Sequence, residues 1–342
     1  MIRRTKHAST ATCTLPIYMG FLMTEPNSIS CTQLAETYNI SHDSVNRFLE
    51  REDYTPHDLY QEAIQHIDNN KLIVSIDDTV LDKPYSQHMD LVSYFWSGKH
   101  HRSVKGINLI TLYATDQNGQ NIPINFRIYD KSEGKTKNDY FMDMLSEVLS
   151  WGAKIQFITG DSWYSSTGNL KTIRKHGIRF MFGIDCNRKV SPEKGQWFQL
   201  RLLPNFHQGQ VVWLKDFGFV QLFKTQLKEQ QRFYIVYQDE DDLLSFEGFH
   251  ELHSSHWKIE QYHRVIKQVC HIEKFQVRRS KLILNHIFSA LMAYVEIQKN
   301  QFERIFENVY RWQKKLFRPI IKDFIDDFIL DKNHLLPQRV YK

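Results

Sequence analysis

Cysteine is scarce in this chain. The four it has, Cys13, Cys31, Cys186 and Cys270, stand far apart with no Cys-x-x-Cys pair, which argues against a zinc ribbon or a disulfide framework and favours a reducing, cytoplasmic setting. Long apolar runs are also missing. Residues 15–23 and 282–295 are too short to span a bilayer, and the second run contains Asn285 and His286, so neither a membrane span nor an export signal is expected. There is no low-complexity tract and no internal repeat, which excludes a solenoid. Neither sign of charge dominates: 44 Lys and Arg against 39 Asp and Glu leave +5, an excess that favours a polyanionic partner without demanding one.

What the chain does have is aromatic bulk. With 23 Phe, 16 Tyr and 7 Trp in 342 residues and 42% apolar content, it is too hydrophobic for a disordered protein and long enough for two or three structural units. Residues 1–70 read as a helical N-terminal region, and residues 30–50 within it have the pattern of a helix-turn-helix. Leu34, Ala35 and Tyr38 form one apolar face, Asn39 makes a turn, and Ser41 caps a second helix with Val45, Phe48 and Leu49 inside. His42, Asp43, Asn46 and Arg47 would face outward, with Asn46 and Arg47 the candidates for DNA contact. The alternative is an ordinary helical hairpin packed on the core.

From residue 71 the pattern changes to strands. Residues 72–76 form a buried strand running into Asp77 and Asp78; 104–115 and 121–129 form two more, joined by a turn containing Asn118-Gly119. A helix follows, with Tyr140, Phe141, Met144, Leu145, Val148 and Leu149 at helical spacing and Gly152 at its end. Residues 155–158 are a strand ending at Gly160-Asp161, a helix through Leu170 and Ile173 stops at Gly177, and 178–184 are a fifth strand. Three antiparallel strands followed by helix, strand, helix, strand is the order of the RNase H-like fold: α/β, a mixed sheet flanked by helices. In that order the first and fourth strands lie parallel, and Asp78 and Asp161 meet at their carboxyl ends, where open α/β sheets bind ligands. Residues 185–245 read as a β-rich inserted subdomain, 246–300 as catalytic-domain helices, and 301–342 as a helical C-terminal tail.

Spacing alone does not single out any of the 39 acidic residues. The segment His253-Ser-Ser-His-Trp-Lys-Ile-Glu-Gln-Tyr-His-Arg-Val-Ile-Lys267 does, because it resembles the signature helix of insertion-sequence transposases: Tyr, two residues, Arg, three residues, Glu, six residues, Lys. Glu260 and Lys267 match in spacing, and Trp257, Ile259, Tyr262 and His263 add to the likeness. Ile76-Asp77-Asp78-Thr79 is similar to the family's first acidic motif, with Asp78 the expected ligand and Asp77 pointing to the opposite face of its strand. Ile158-Thr-Gly-Asp161-Ser-Trp-Tyr resembles the second. The resemblance covers roughly residues 70–300, with the three motifs in family order.

This resemblance to DDE-type transposases, of the RNase H-like and retroviral-integrase superfamily, implies a metal site of Asp78, Asp161 and Glu260 holding two Mg²⁺ or Mn²⁺ ions. It also implies cutting at the ends of an insertion sequence and strand transfer into target DNA. The implied partners are double-stranded DNA, both terminal inverted repeats and target, and a second copy of the chain when assembled on DNA; the implied location is prokaryotic, nucleoid-associated cytoplasm. Positions 260, 264 and 267 share a helix face, so Arg264 and Lys267 are expected on the DNA backbone. Where the signature has Tyr and Arg, this chain has His253 and His256, also expected to face DNA, and a neutral imidazole is a poorer phosphate clamp than guanidinium. That departure keeps open a catalytically impaired DNA-binding relative; a second alternative, on the shared fold alone, is a metal-dependent nuclease that hydrolyses without joining.

The remaining candidates are weaker. His250, His253, His256 and His263 lack zinc-ligand spacing and are expected to be solvated or facing DNA. Lys99, Arg102 and Lys105, in a loop after the first acid, are candidates for phosphate contact, with a solvated connection as the alternative. Trp197 and Trp213 are expected in a sheet core rather than stacked on a base. Asp323, Asp326 and Asp327 read as a solvated helix face.

Overall fold

The computed structural model describes residues 11–25, 30–227, 230–238, 243–323 and 325. Its organising strand is β1 (Leu72–Asp82), in which Leu72, Val74 and Ile76 are fully buried. β3 (Arg102–Thr115) runs antiparallel along one edge of β1 and β5 (Ile155–Gly160) runs parallel along the other. β3 is long enough to pair β2 (Ser93–Ser97) with its first residues and β4 (Asn121–Ile128) with its later ones. β6 (Arg179–Ile184) continues parallel to β5. This is the expected mixed sheet flanked by helices, RNase H-like in its order of elements.

The strands of the expected insertion are not a sheet of their own. β11 (Gln230–Tyr237) pairs antiparallel with β6, and β10 (Gly218–Leu227), β9 (Gln210–Leu214), β7 (Lys189–Ser191) and β8 (Phe198–Gln199) follow outward, giving 11 strands in one sheet. Val212 and Leu214 are buried while Trp213 is 43% exposed and Trp197 is 45% exposed. The expectation that these two indoles lie in a core is therefore corrected: strand alternation turns Trp213 outward, where its ring meets Phe219 edge to face at 4.8 Å.

Helices cover both faces. α5 (Lys137–Ser150) starts at a capping box made by Thr136 and Asp139, three residues before its first apolar position, and ends before Gly152 at φ 98°. α6 (Thr167–Lys175) is capped by Ser166. α7 (Phe246–Gln268) crosses β1 on the opposite face from α5 and packs on α8 (Ser280–Phe302), which is apolar almost all round. The reason lies at the N-terminus: α1 (Leu15–Thr24), α3 (His42–Arg51) and α4 (Pro56–Ala63) pack on α8, so it has no solvent face. α9 (Val309–Asp323) is exposed apart from its first turn, and Asp323 is exposed; Asp326 and Asp327 lie outside the described residues.

The N-terminal helix pair forms as expected. α2 (Cys31–Tyr38) ends at Asn39 in the left-handed region, φ 50°, and Ser41 caps α3 through the Asp43 amide. Val45, Phe48 and Leu49 join the core, and the buried Asn285 amide of α8 donates to Leu49 O at 2.7 Å and Glu52 O at 2.6 Å. The pair is thus packed on the core, with His42 and Asp43 outward, while Asn46 and Arg47 are only partly exposed.

Candidate active site

The register of β1 and β5 decides where the acids meet. The parallel ladder ends at Ile76 opposite Gly160. β1 then continues through Asp77 and Asp78 beside β3 alone, whereas the other chain turns away at Asp161. The expectation that Asp78 lies past its strand is corrected, since β1 runs to Asp82; it is the partner strand that stops. Asp77, Asp78 and Asp161 therefore line the notch this leaves, at the carboxyl end of two parallel strands.

Alternation sends the two neighbours to opposite faces. Asp78 points toward α5. Its carboxylate accepts from Asn108 Nδ2 at 2.6 Å and from Tyr164 OH at 3.0 Å, and its Oδ2 lies 2.7 Å from Lys137 Nζ. Asp77 points toward α7, with Oδ2 3.6 Å from His263 Nδ1. Burial, then the charges of Asp161, Asp78 and Glu260, push the Asp77 carboxyl well above its ordinary range, while burial pushes His263 down to about 3. The contact is therefore between a carboxyl and a neutral imidazole rather than an ion pair.

Asp161 caps the short turn Ser162–Tyr164 by accepting from the Trp163 amide at 3.0 Å. Burial first, and the charge of Asp78 second, raise its carboxyl to about 6, against the pull of backbone amides and Lys137. Glu260 is exposed on α7 and raised by desolvation, with Arg232 and Arg264 opposing. Its charge reaches Asp77. Among the described residues no three His, Cys, Asp or Glu side chains stand together as a finished metal centre.

The surroundings nonetheless suit a hard cation. All the candidate ligands are oxygens, and beyond burial the charge of Asp78 raises both the Asp77 and the Asp161 carboxyls. Asn108 Oδ1 is buried beside Asp78 with no hydrogen-bond partner among the described residues. Buried acceptors are nearly always satisfied, so an oxygen left open there fits a site that takes up a cation or water. Asn108, Tyr164 and Lys137 were not singled out from sequence; the signal for Lys137 was Thr136 with Asp139 three residues on, which starts the helix before its apolar stripe.

The basic and histidine candidates disperse. His256 shares a hydrogen bond with Thr159 Oγ1 at 3.2 Å, and burial lowers it to about 4; His253 pairs with Tyr234 OH at 3.0 Å and is lowered chiefly by burial. His263 is buried against protein and His253 and His256 are part-buried against Tyr234 and Thr159 rather than fully solvated, while His250 is exposed. Lys267 donates to Val80 O at 2.6 Å on β1, and Arg264 is exposed. The loop expected around residues 97–105 is the turn of the β2–β3 hairpin: Arg102 and Lys105 lie in β3, Lys105 donates to Ser86 O, and exposed Lys99 is 3.6 Å from Asp82. Asn46 and Arg47 sit on α3, in the N-terminal helices that pack on α8.

The family model described as transposase DDE domain matches residues 68–295, more than half of the chain. The chain belongs to this family. The matched stretch contains the acids of both strands and the helix bearing Glu260, so this is the fold and the region of a transposase enzyme. No curated protein matches the chain. Among solved structures, a Marinitoga piezophila Argonaute in complex with 5′ OH guide RNA and target DNA is similar at 9% identity over 63% of this chain and 28% of that one, with a TM-score of 0.22. A superposition that loose carries no argument. Among the described residues no helix is long and apolar enough to cross a membrane.

Proposed function

We propose that this transposase cuts DNA at the ends of an insertion sequence and joins the freed 3′ ends to target DNA, using Asp78, Asp161 and Glu260 as carboxylate ligands. The observation that carries this reading is the notch where the β1–β5 ladder ends, where burial, and beyond it the charge of Asp78, raises the Asp77 and Asp161 carboxyls. When bound there, a pair of Mg²⁺ or Mn²⁺ ions would supply activation of the attacking oxygen and stabilisation of the leaving one.

The chain's own side chains would do the rest. Tyr164 and Asn108 hold the Asp78 carboxylate in one orientation through bonds of 3.0 and 2.6 Å. The amide of Trp163 fixes Asp161. Exposed Arg264, one turn from Glu260, would meet the phosphate backbone, and Lys99 and Arg102 would extend that contact along the β2–β3 turn. Double-stranded DNA is then the partner, and a dimer bridging two ends the working assembly.

A second reading is favoured by one observation: His256 is neutral and turned to Thr159 where the family signature has arginine. On that reading the protein binds ends without cutting them. An assay of the purified chain on a plasmid carrying its element's own terminal repeats separates the two. Linearised donor and joined product support the proposal; bound but intact ends in Mg²⁺ and Mn²⁺ support the second reading.

A further inference from the structure

Lys137 is placed where its own helix does not want it. It occupies the first turn of α5, the end at which the helix dipole disfavours a cation. The capping box of Thr136 and Asp139 fixes the start of the helix and so aims the Lys137 stem at β1. Its ammonium lies 2.7 Å from Asp78 Oδ2, with the two side chains only 17% and 16% exposed. It also pulls the Asp161 carboxyl down, so one ammonium serves two acids. The indole of Trp163, 62% exposed, has its ring centre 5.7 Å from the same nitrogen.

We propose that Lys137 is an internal counter-ion of the metal-free site: it occupies Asp78 until a divalent cation arrives, and must release that carboxylate for the cation to bind. The inference rests on the metal reading above. A divalent ion on Asp78 and an ammonium on the same oxygen would repel strongly in a partly buried site. The four-carbon stem lets the nitrogen swing away while its helix stays in place, and the Trp163 face offers it a resting place by cation–π attraction. The device keeps the Asp78 carboxylate oriented without metal, at the cost of weaker metal affinity.

The test measures Mn²⁺ binding to the full chain without DNA, by the electron-spin resonance of free Mn²⁺, for wild type, Lys137→Met, Lys137→Arg and Asp161→Asn. Lys137→Met is expected to bind Mn²⁺ about tenfold tighter than wild type, an order-of-magnitude figure for removing a like charge in contact, and Lys137→Arg no tighter than wild type. If wild type binds Mn²⁺ in an Asp161-dependent way and Lys137→Met binds no tighter, the counter-ion role is overturned while the metal site stands. If Asp161→Asn binds as wild type does, the metal reading falls and takes this one with it. A second measurement needs no variant: the acetylation rate of Lys137 in wild type, followed by peptide mass spectrometry, is expected to rise several-fold when Mn²⁺ saturates the site. An unchanged rate overturns the proposal.

Discussion

Ile76 and Gly160 form the last rung of the parallel ladder between β1 and β5, and Asp77, Asp78 and Asp161 follow directly from that rung. A Cβ on residue 160 would lie 2.6 Å from Phe182 Cε1 and 2.7 Å from Ile76 Cγ2, closer than side-chain contacts allow. Gly160→Ala should therefore cost about 1–3 kcal/mol, the usual range for overpacking, and move Asp161 relative to Asp77. Urea denaturation checks the first effect. Unchanged stability would mean that the ladder ends elsewhere.

The Asn285 amide and the Tyr18–His286 hydrogen bond are among the buried polar ties between the N-terminal helices and α8. Asn285→Ala removes both bonds that hold the end of α3, leaving Leu49 O and Glu52 O without that donor, at an expected cost of about 1–3 kcal/mol. Hydrogen exchange should show the loss concentrated in α3. Protection unchanged there would contradict the packing of these helices on α8.

Asp161 gives the metal-free protein a pH signature. Its carboxyl is raised from 3.8 to about 6, so the folded state holds a proton that the unfolded state has released. That contribution is complete below about pH 4 and lost as pH rises through about 6. The melting temperature of the wild type should fall across this window relative to Asp161→Asn. Asp161 as a residue keeps exposed surface even though its carboxyl is partly desolvated, so the step is expected to be small. Parallel profiles for the two proteins would contradict it.

His256 and His263 should both stay neutral from pH 8 down to pH 5, since burial holds them at about 4 and about 3. Imidazole ¹⁵N shifts report this directly. A His256 titrating near 6.5 would place it in solvent instead of against Thr159.

Lys267 and Arg264 share the signature helix and should respond differently to truncation. Arg264→Ala is expected to reduce the slope of log affinity against log salt by about one, as for the loss of one phosphate contact. Lys267→Ala should instead lower stability by about 1 kcal/mol through the lost bond to Val80 O. Salt titration of binding to end DNA and thermal melting, run on both variants, check the pair. A salt slope unchanged by Arg264→Ala contradicts its assignment.

Much of this was legible in the chain itself, for a physical reason. β1 and β5 are apolar runs whose ends were legible, but that pattern alone did not single out Asp78 and Asp161; the likeness of their motifs to the transposase family did. β2 was missed because five residues carrying Tyr94, Phe95 and Trp96 look like a loop until β3 pairs with them. The pairing of β11 with β6 joins segments some fifty residues apart, and local pattern holds no record of such a contact. His253, His256 and His263 read as a polar stripe, yet that stripe faces the sheet and meets Tyr234, Thr159 and Asp77. Lys137 was hidden because its role depends on Asp78, 59 positions away.

The most direct measurement is cleavage of a DNA fragment bearing the element's end, in Mg²⁺, by wild type and by Asp78→Asn, Asp161→Asn and Glu260→Gln, with end binding followed in parallel by gel shift. The account predicts cutting by wild type, none by any of the three, and end affinity within a few-fold of wild type throughout. Full cleavage by any one variant would contradict the carboxylate trio.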